Sequence, residues 1–344
     1  MTGEVLISKE GKAGRITLNN PKGLHALNQA VCEAITSALL NWRDDDAVEF
    51  ILVDHMVGSR GFCVGADVSM LAESGKGDGK AACAFFQAEY RLTDLISRYP
   101  KPYVAIMDGV TKGGGLGLSI HGSHQIATER TVVSMSETGI GLCPDVGGTW
   151  FLSRLPNELG TWLALTGAQL KGMDAVAVGF ATHYCDGAQL PKLKTKLIKN
   201  GLSALEGYVL NAAFSMADRE QEIKHLFSSD CANVIKSRLE RGSNWAKSQA
   251  TKFNAKSPLS TKIALRQMRT GRYLDSIQHA LRLEYRIATR LVRSRNFHEG
   301  VRAMQQDKDY LPYWKPASMQ KATYDAVAKY FTPMDAQELY FLEL

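Results

Sequence analysis

The order of apolar and polar residues divides the chain into two unlike parts. As far as about residue 190, short apolar runs alternate with glycine loops and helical patterns. Residues 5–8 and 14–18 read as two strands around the turn Glu10-Gly11-Lys12, and EFILVDH (49–55) reads as a buried strand. The repeated succession of strand, glycine loop and helix predicts an α/β core with ligand loops at the strand ends.

Helical periodicity is present in both parts and dominates the second. Residues 26–42 carry apolar positions at helical spacing with Asn28 placed as N-cap, and residues 81–98 predict a helix before the strand Tyr103 to Met107. Further helices are predicted over Leu205 to Met216, Ala232 to Gln249, Ser260 to Arg269 and Leu274 to Arg295. We therefore predict a core over residues 1–200 and a helical C-terminal region over residues 201–344 that packs on it.

Composition excludes several classes of protein. With 344 residues, 45% of them apolar and 22% charged, the chain has an ordinary globular composition. No apolar run approaches the roughly 20 residues that span a bilayer, and the N-terminal stretch MTGEVLISKEGKAG has no signal or transit character. The six cysteines form no CxxC pair, and no HExxH occurs. These patterns predict no zinc site and no disulfide scaffold, and they fit a reducing compartment.

Positive charge is concentrated towards the C-terminus. Residues 251–344 carry 16 Lys and Arg against nine Asp and Glu, within a net charge of +6 for the whole chain. Four arginines, Arg282, Arg286, Arg290 and Arg293, recur along one face of a predicted helix. This balance fits a polyanionic partner, such as a phosphorylated ligand, an acidic protein or nucleic acid, and equally fits a solvated helical surface.

Two glycine loops stand where strands meet helices. In GFCVGADV (61–68) glycine lets the backbone turn an N–H outward, and the Val64 N–H is one candidate donor to an oxyanion. In KGGGLG (112–117) bare N–H groups precede a helical segment, and the Gly114 N–H is the second candidate. Two such donors serve acyl transfer or enolate formation. A tight turn alone would also explain the glycines of the first loop.

Two carboxyl groups lie in a glycine-rich stretch without basic neighbours. In SMSETGIGLCPDVGG (134–148), Glu137 and Asp145 are eight positions apart. They are candidates for acid–base or nucleophilic work on the acyl carbon, and capping or loop-ordering acids are the alternative. ESGKGDGK (73–80) fails the phosphate-loop pattern, and GGGLGLSIHG does not give a dinucleotide-binding fingerprint.

Several motifs together resemble the crotonase superfamily and, within it, the 3-hydroxyisobutyryl-CoA hydrolase family. The resemblance runs from TLNNPKGLHALN (17–28) to DKDYLPYWKP (307–316), and its most specific parts are PDVGG and FHEGVRA. It implies a ββα superhelical core that binds an acyl-CoA, with CoA as part of the substrate and no separate cofactor. The implied reaction is hydrolysis of the 3-hydroxyisobutyryl-CoA thioester in valine catabolism, with 3-hydroxypropionyl-CoA as a further substrate.

Carried over by position, the resemblance assigns roles to individual residues. Val64 and Gly114 would supply the two oxyanion-hole amides, Glu137 would attack the thioester or activate water, and Asp145 would be its acid–base partner. The implied substrate-binding residues are Glu89, Gly65, Ala66, Asp67 and Gly113. An even alternative for Glu89 is an ion pair with Arg91 or Lys101.

Some positions depart from the pattern of the superfamily. Hydratases of the superfamily carry a second glutamate two residues after the glycine triplet, where this chain has Gly117. This difference disfavours enoyl-CoA hydration and favours hydrolysis by the Glu137/Asp145 pair. Val64, Lys112 and Ser136 also replace the residues usual in the hydrolases.

A second hypothesis treats the fold as a scaffold. The resemblance includes relatives that are proteins of mitochondrial ribosomal small subunits, and a basic C-terminal third would suit contact with ribosomal RNA and ribosomal proteins. Mitochondrial localisation is an expectation from the resemblance alone. The superfamily resemblance leaves two alternatives open for assembly: a homo-oligomer, or a C-terminal region that covers the surface used for it.

Overall fold

The computed structural model describes residues 3–208, 212–334 and 337–343, and within them ten strands form two sheets. The strands are β1 (Val5–Glu10), β2 (Ala13–Leu18), β3 (Phe50–His55), β4 (Gly61–Cys63), β5 (Tyr103–Met107), β6 (Val110–Lys112), β7 (His124–Ala127), β8 (Val132–Ser134), β9 (Leu170–Lys171) and β10 (His183–Tyr184). The larger sheet has the order β1-β2-β3-β5-β7-β10, and the smaller has the order β4-β6-β8-β9.

Parallel pairing brings the functional loops to one edge. Apart from the β1–β2 hairpin, the larger sheet is parallel, and every residue of β3 is buried, as its unbroken apolar run predicts. In the smaller sheet β4, β6 and β8 are adjacent and parallel, and β9 is antiparallel to β8. The chain segments that follow β4, β6 and β8 therefore leave the same edge of this sheet.

Fifteen α-helices are formed by the described residues. They are α1 (Gln29–Arg43), α2 (Val68–Lys76), α3 (Lys80–Ser97), α4 (Gly114–Gly117), α5 (Gly148–Ser153), α6 (Leu159–Thr166), α7 (Met173–Ala177), α8 (Leu190–Asn200), α9 (Glu220–Phe227), α10 (Ala232–Arg241), α11 (Asn244–Asn254), α12 (Pro258–Gly271), α13 (Ile277–Leu291), α14 (Arg295–Val301) and α15 (Tyr324–Ala328). Among them, no helix is long and apolar enough to cross a membrane.

Most predicted elements are confirmed, and one predicted helix is wrong. Asn28 caps α1 as expected, since its side chain accepts from the Val31 N–H. The helix predicted over residues 205–216 is absent from its described part: a 3₁₀ helix ends at Leu205, and residues 206–208 and 212–216 are not helical. Gly207 has φ of +85°, which breaks helical geometry there. Residues 209–211 lie outside the described residues.

The other two long helical predictions are each split by a serine cap. The Ser243 side chain accepts from Ala246 N–H and starts α11, and the Ser294 side chain accepts from Phe297 N–H and starts α14. In the C-terminal region α12 packs on α5 and α6, and α13 packs on α3 and α5. One hydrophobic cluster extends from Val5 to Leu339, so residues of the predicted core and of the predicted C-terminal region share it.

Candidate active site

The loop after β4 presents one free backbone amide. The Leu27 N–H donates to the Gly65 carbonyl and the Asp67 N–H donates to the Leu27 carbonyl, so Ala66 between them points its own N–H away from Leu27. Within the part of the chain that the structure describes, the Ala66 N–H has no hydrogen-bond acceptor. The Val64 N–H donates to the Leu24 carbonyl at 3.2 Å. Because the Val64 donor is engaged within the protein, Ala66 replaces Val64 as the first candidate oxyanion donor.

The glycine triplet presents a second backbone amide to the same region. Gly113 has φ of +47° and turns the chain from β6 into α4. Gly114 is the first residue of that short helix, and its N–H has no acceptor among the described residues. The two loops touch: a Cβ placed on Gly65 would lie 2.8 Å from the Gly114 nitrogen. Only glycine at position 65 lets the two amides come this close.

Carboxyl groups from three further segments reach the same cavity. Glu137 begins the 3₁₀ helix after β8, Asp145 lies on the loop before α5, and Glu89 projects from α3. These three residues, both glycine loops and several apolar side chains line a cavity of about 170 Å³. Its lining comprises Val64, Gly65, Ala66, Val68, Leu71, Phe86, Glu89, Lys112, Gly113, Gly114, Ser136, Glu137, Ile140, Leu142 and Asp145. The structure thus brings together the candidate residues that the sequence left dispersed.

Glu89 is a buried acid without a partner. It is 3% exposed, and neither carboxyl oxygen has a hydrogen-bond partner among the described residues. A Cβ placed on Gly114 would lie 2.2 Å from Glu89 Oε1, so this carboxyl group lies directly beside the second amide. The alternative ion pairs are not formed, because Lys101 donates to two backbone carbonyls and Arg91 Nε donates to the Tyr340 carbonyl.

Burial raises the pKa of all three acids. Burial, with the Asp145 charge as the next cause, raises the pKa of Glu137 to about 8, and burial raises the pKa of Asp145 to about 6. The Tyr90 hydroxyl donates to Asp145 Oδ2 at 2.8 Å, which favours the ionised form of Asp145. Burial also raises the pKa of Glu89 well above its usual range. The cavity therefore holds protons at neutral pH.

Two lysines place positive charge near Glu137. Lys112 ends β6 and lines the cavity, and Lys256 lies between α11 and α12, with its Nζ 3.2 Å from where a Gly139 Cβ would be. Their charges oppose the rise in the pKa of Glu137. Lys256 was missed by the sequence analysis, because it is far along the chain from Glu137 and has no motif around it.

The remaining predicted contacts have different outcomes. Gly65, Ala66 and Gly113 line the cavity as expected. The Asp67 side chain is instead used within the fold, since its Oδ1 accepts from the Ser69 and Met70 N–H groups and caps α2. A helix cap is therefore the role that the contacts of Asp67 support, in place of substrate binding.

The arginine stripe on α13 binds the chain's own C-terminal segment. Arg286 pairs with Glu338 at 2.7 Å, Arg282 donates to the Leu339 carbonyl, and Arg290 donates to the Thr332 carbonyl. These guanidinium groups are thereby committed to internal contacts. Three of the four arginines of the predicted stripe are therefore engaged within the protein and are not free to bind a polyanion.

Gly117 has no room for a side chain. A Cβ at this position would lie 2.8 Å from the Val146 Cβ and 3.2 Å from Thr93 Oγ1. The residues packed around α4 therefore leave no space for a side chain at position 117, and no carboxyl group enters the cavity from this position.

Comparisons with known proteins give the same family as the motifs. A family model described as "Enoyl-CoA hydratase/isomerase" matches residues 13–331. The chain belongs to this family. Among curated members, the "3-hydroxyisobutyryl-CoA hydrolase, mitochondrial" of Gallus gallus is 39% identical over 98% of this chain and 90% of its own length, and that of Homo sapiens is 39% identical over 98% and 91%. The family membership predicted from the motifs is confirmed, and so is the prediction that the chain is an enzyme.

Solved structures of the enoyl-CoA hydratase/isomerase family confirm the predicted fold class. A carnitinyl-CoA dehydratase from Mycobacterium thermoresistibile has a TM-score of 0.94 at 36% identity, covering 98% of both chains. An enoyl-CoA hydratase from Rhodobacter sphaeroides 2.4.1 has a TM-score of 0.92 at 38% identity, covering 98% of this chain and 100% of that one. The similar members of the family thus include a hydrolase, a dehydratase and a hydratase.

Proposed function

We propose that this enzyme hydrolyses the thioester of a short 3-hydroxyacyl-CoA, with 3-hydroxyisobutyryl-CoA as the first substrate to test. The observation that carries the proposal is the meeting of two free amides, Ala66 and Gly114, with the carboxyl pair Glu137 and Asp145 in one cavity. Two amides stabilise negative charge on a thioester oxygen, and a carboxylate in the same cavity can attack the carbonyl carbon. The curated relatives named as hydrolases support the same reaction.

The proposed reaction begins with attack by Glu137. Its carboxylate adds to the thioester carbon, the oxyanion accepts from the Ala66 and Gly114 amides, and the C–S bond breaks to leave an acyl–glutamyl anhydride. The leaving thiolate takes a proton from Asp145. Water then adds to the anhydride and gives up a proton to Asp145, which releases the hydroxy acid and restores Glu137.

One proton shared by Glu137 and Asp145 suits these reaction steps. At neutral pH the raised pKa values, about 8 for Glu137 and about 6 for Asp145, leave the pair with roughly one proton. These values place the proton mainly on Glu137, so the reactive form is the one in which it has moved to Asp145, leaving Glu137 as the nucleophile and Asp145 as the acid. Lys112 and Lys256 favour this arrangement, because their charges stabilise ionised Glu137.

Glu89 is proposed to recognise the 3-hydroxyl group. A buried carboxyl group with a strongly raised pKa stays neutral, and a neutral carboxyl group can both donate and accept a hydrogen bond. Its place beside Gly114 puts it next to the acyl group of a thioester held by the two amides. 3-Hydroxypropionyl-CoA carries the same hydroxyl group and is proposed as a second substrate.

Hydration of an enoyl-CoA is the second candidate function. It is favoured by the names of the two similar solved structures and by the unpaired Glu89, which could act as a second carboxyl group. Gly117 weighs against it, since the position that carries the second glutamate in hydratases has no space for a side chain here. We therefore rank hydrolysis first.

A thiol-release assay separates the two functions. Purified enzyme is incubated with 3-hydroxyisobutyryl-CoA while free thiol is measured, and in parallel with a conjugated enoyl-CoA while loss of the enoyl absorbance is followed. We expect thiol release that Glu137→Gln abolishes and that Glu33→Gln, an exposed acid on α1, leaves unchanged. Enoyl loss without thiol release by the folded protein would replace hydrolysis with hydration.

The pathway and compartment are proposed from the same relatives. Hydrolysis of 3-hydroxyisobutyryl-CoA would place the enzyme in valine catabolism. The names of the curated relatives support a mitochondrial localisation, whereas the two similar solved structures come from bacteria. Localisation of a tagged chain in its own cells tests this directly. Ribosomal and homo-oligomeric partners stay predictions, to be tested by sedimentation of the purified chain with and without ribosomal particles.

A further inference from the structure

The loop that carries Asp145 has a strained backbone. Val146 has φ of +49° and Gly147 has φ of +84°. The left-handed region is unfavourable for a β-branched residue, and such strain persists only where the surrounding structure enforces it. Contacts from other elements must therefore hold residues 144–149 in this conformation.

Three side chains from other elements bind this loop. His121 Nε2 donates to the Val146 carbonyl at 2.7 Å, since only a protonated ring nitrogen can bond to a carbonyl. Gln267 Nε2 donates to the Pro144 carbonyl at 2.9 Å and to Thr149 Oγ1 at 3.0 Å. The loop is thus held on both sides of the strained residues.

Glu284 makes the contacts at the centre of the loop. Its Oε2 accepts from the Gly147 N–H at 2.8 Å and its Oε1 accepts from the Thr149 N–H at 2.7 Å. The side chain is 1% exposed and comes from α13, which lies in the C-terminal region. A glutamine could accept only one of these two bonds, because its amide nitrogen would face the other N–H group.

The carboxyl group of Glu284 is also electrostatically linked to the site. Burial raises the pKa of Glu284 to about 8, the two amides lower it, and the Asp145 charge raises it. The groups around Asp145 are Tyr90, Glu89 and Glu137 from the cavity side, with Cys143 and Glu284 from the loop side. Burying Glu284 next to Asp145 lowers stability, so we expect Glu284 to have a role other than packing.

We propose that Glu284 is a positioning residue: by bridging the Gly147 and Thr149 amides it fixes the strained loop so that Asp145 meets the Tyr90 hydroxyl and faces the thioester cavity. Glu284 itself does not line that cavity. The kinetic part of this inference rests on the proposed hydrolysis, whereas the effect on Asp145 does not.

The kinetic test compares two substitutions on the same helix. Glu284→Gln is expected to lower kcat about 10- to 100-fold with KM changed less than about twofold, because an acid group is displaced while the binding surface stays. Arg286→Gln, which breaks the outward-facing pair with Glu338, is the control and is expected to leave kcat unchanged. An unchanged kcat in Glu284→Gln at a stability loss equal to that of the control would overturn the proposal.

A titration of Asp145 tests positioning without any catalytic readout. With the aspartate side-chain carboxyl carbons labelled with ¹³C, NMR follows the titration of Asp145 in the unmutated enzyme, Glu284→Gln, Arg286→Gln and Tyr90→Phe. Tyr90→Phe is expected to raise the pKa of Asp145 by removing its hydrogen bond. Glu284→Gln is expected to raise it in the same direction by displacing Asp145 from Tyr90, because Glu284, with a pKa of about 8, carries little charge where Asp145 titrates. No shift in Glu284→Gln would reject the positioning role, even if the enzyme proved inactive on every thioester.

A second variant covers the case in which Glu284→Gln does not fold. His121→Asn removes the contact to the Val146 carbonyl on the other side of the loop. It is expected to raise the pKa of Asp145 and lower kcat in the same way, since the loop is held by both side chains. A folded His121→Asn with the titration and kcat of the unmutated enzyme would reject the view that this loop must be held to place Asp145.

Discussion

At the scale of single residues, the site depends on two positions that carry no functional group. Gly65 and Gly114 let two loops approach until their amides share one cavity. The sequence predicted both loops and named the Gly114 and Val64 amides as candidate donors, whereas the structure leaves the Gly114 and Ala66 amides without an acceptor among the described residues. Hydrogen bonds to Leu24 and Leu27 decide which amide of this loop is engaged. Because Leu24 and Leu27 are distant in sequence from the loop, the residues of the loop itself do not predict these bonds.

Gly65→Ala is predicted to disable the oxyanion hole. Gly65 and Gly58 have nearly equal φ of +88° and +90°, but a Cβ on Gly65 would lie 2.8 Å from the Gly114 nitrogen, whereas one on Gly58 meets nothing within 4 Å. Both alanines carry a left-handed cost of about 1–2 kcal/mol. Only Gly65→Ala separates the amides, and kcat should fall about 10²- to 10³-fold. Steady-state kinetics and urea unfolding of both variants measure the two effects separately, and equal kcat values would contradict the prediction.

Lys256→Met is predicted to move the pH dependence of the enzyme. The active pair holds one proton, so kcat/KM should rise with pH as the pair loses its first proton and fall as it loses its second, at an apparent pKa of about 8. Because the Lys256 charge lowers the pKa of Glu137, its removal should raise that apparent pKa by about 0.5–1 unit and slow the reaction about 3- to 10-fold at pH 7.

The control for this shift is Lys252→Met, which removes an exposed lysine from the end of α11. It should leave the pH profile where it is. A change of KM in Lys256→Met with no movement of the profile would mean that Lys256 binds substrate and does not act through Glu137.

At the scale of elements, regular structure with clear patterning was predictable and irregular structure was not. The apolar run of β3 and the capped helix α1 follow from local sequence alone. The two-residue strands β9 and β10 are too short to give a period, and Gly207 ends a helical pattern that otherwise reads well. The splits before α11 and α14 depend on single serines within longer helical patterns.

Asp67 shows how a local role can be hidden by a motif. Its side chain caps α2, so Asp67→Ala is predicted to lower the free energy of unfolding by about 1 kcal/mol, whereas Asp67→Asn should cost only a few tenths. Both variants should retain the KM of the unmutated enzyme. Urea unfolding and steady-state kinetics provide the two readouts. A several-fold rise in KM for a fully stable Asp67→Asn would restore the predicted role in substrate binding.

At the scale of the whole molecule, the site draws on regions that are far apart in sequence. The segments after β4, β6 and β8 deliver the amides and Glu137 because those strands are parallel neighbours. The C-terminal region adds Lys256 and Glu284, and its arginine stripe is used to bind the segment around Glu338. Periodicity predicted that this region is helical, but only the packed structure shows that it contributes side chains around the candidate catalytic acids.

The acids buried in the site should make the free energy of unfolding depend on pH. Between pH 4.5 and about 8 folded Glu137 holds a proton that the unfolded chain has lost, so the free energy of unfolding should fall as pH rises through this window. Glu137→Gln cannot ionise and should therefore be more stable than the unmutated enzyme at pH 8.5, by about 1–3 kcal/mol, and nearly equal to it at pH 4. Urea unfolding at the two pH values measures the difference, with Glu33→Gln as the exposed control. Equal stabilities at pH 8.5 would show that Glu137 ionises freely in the folded enzyme, and its raised pKa would then no longer account for the shared proton.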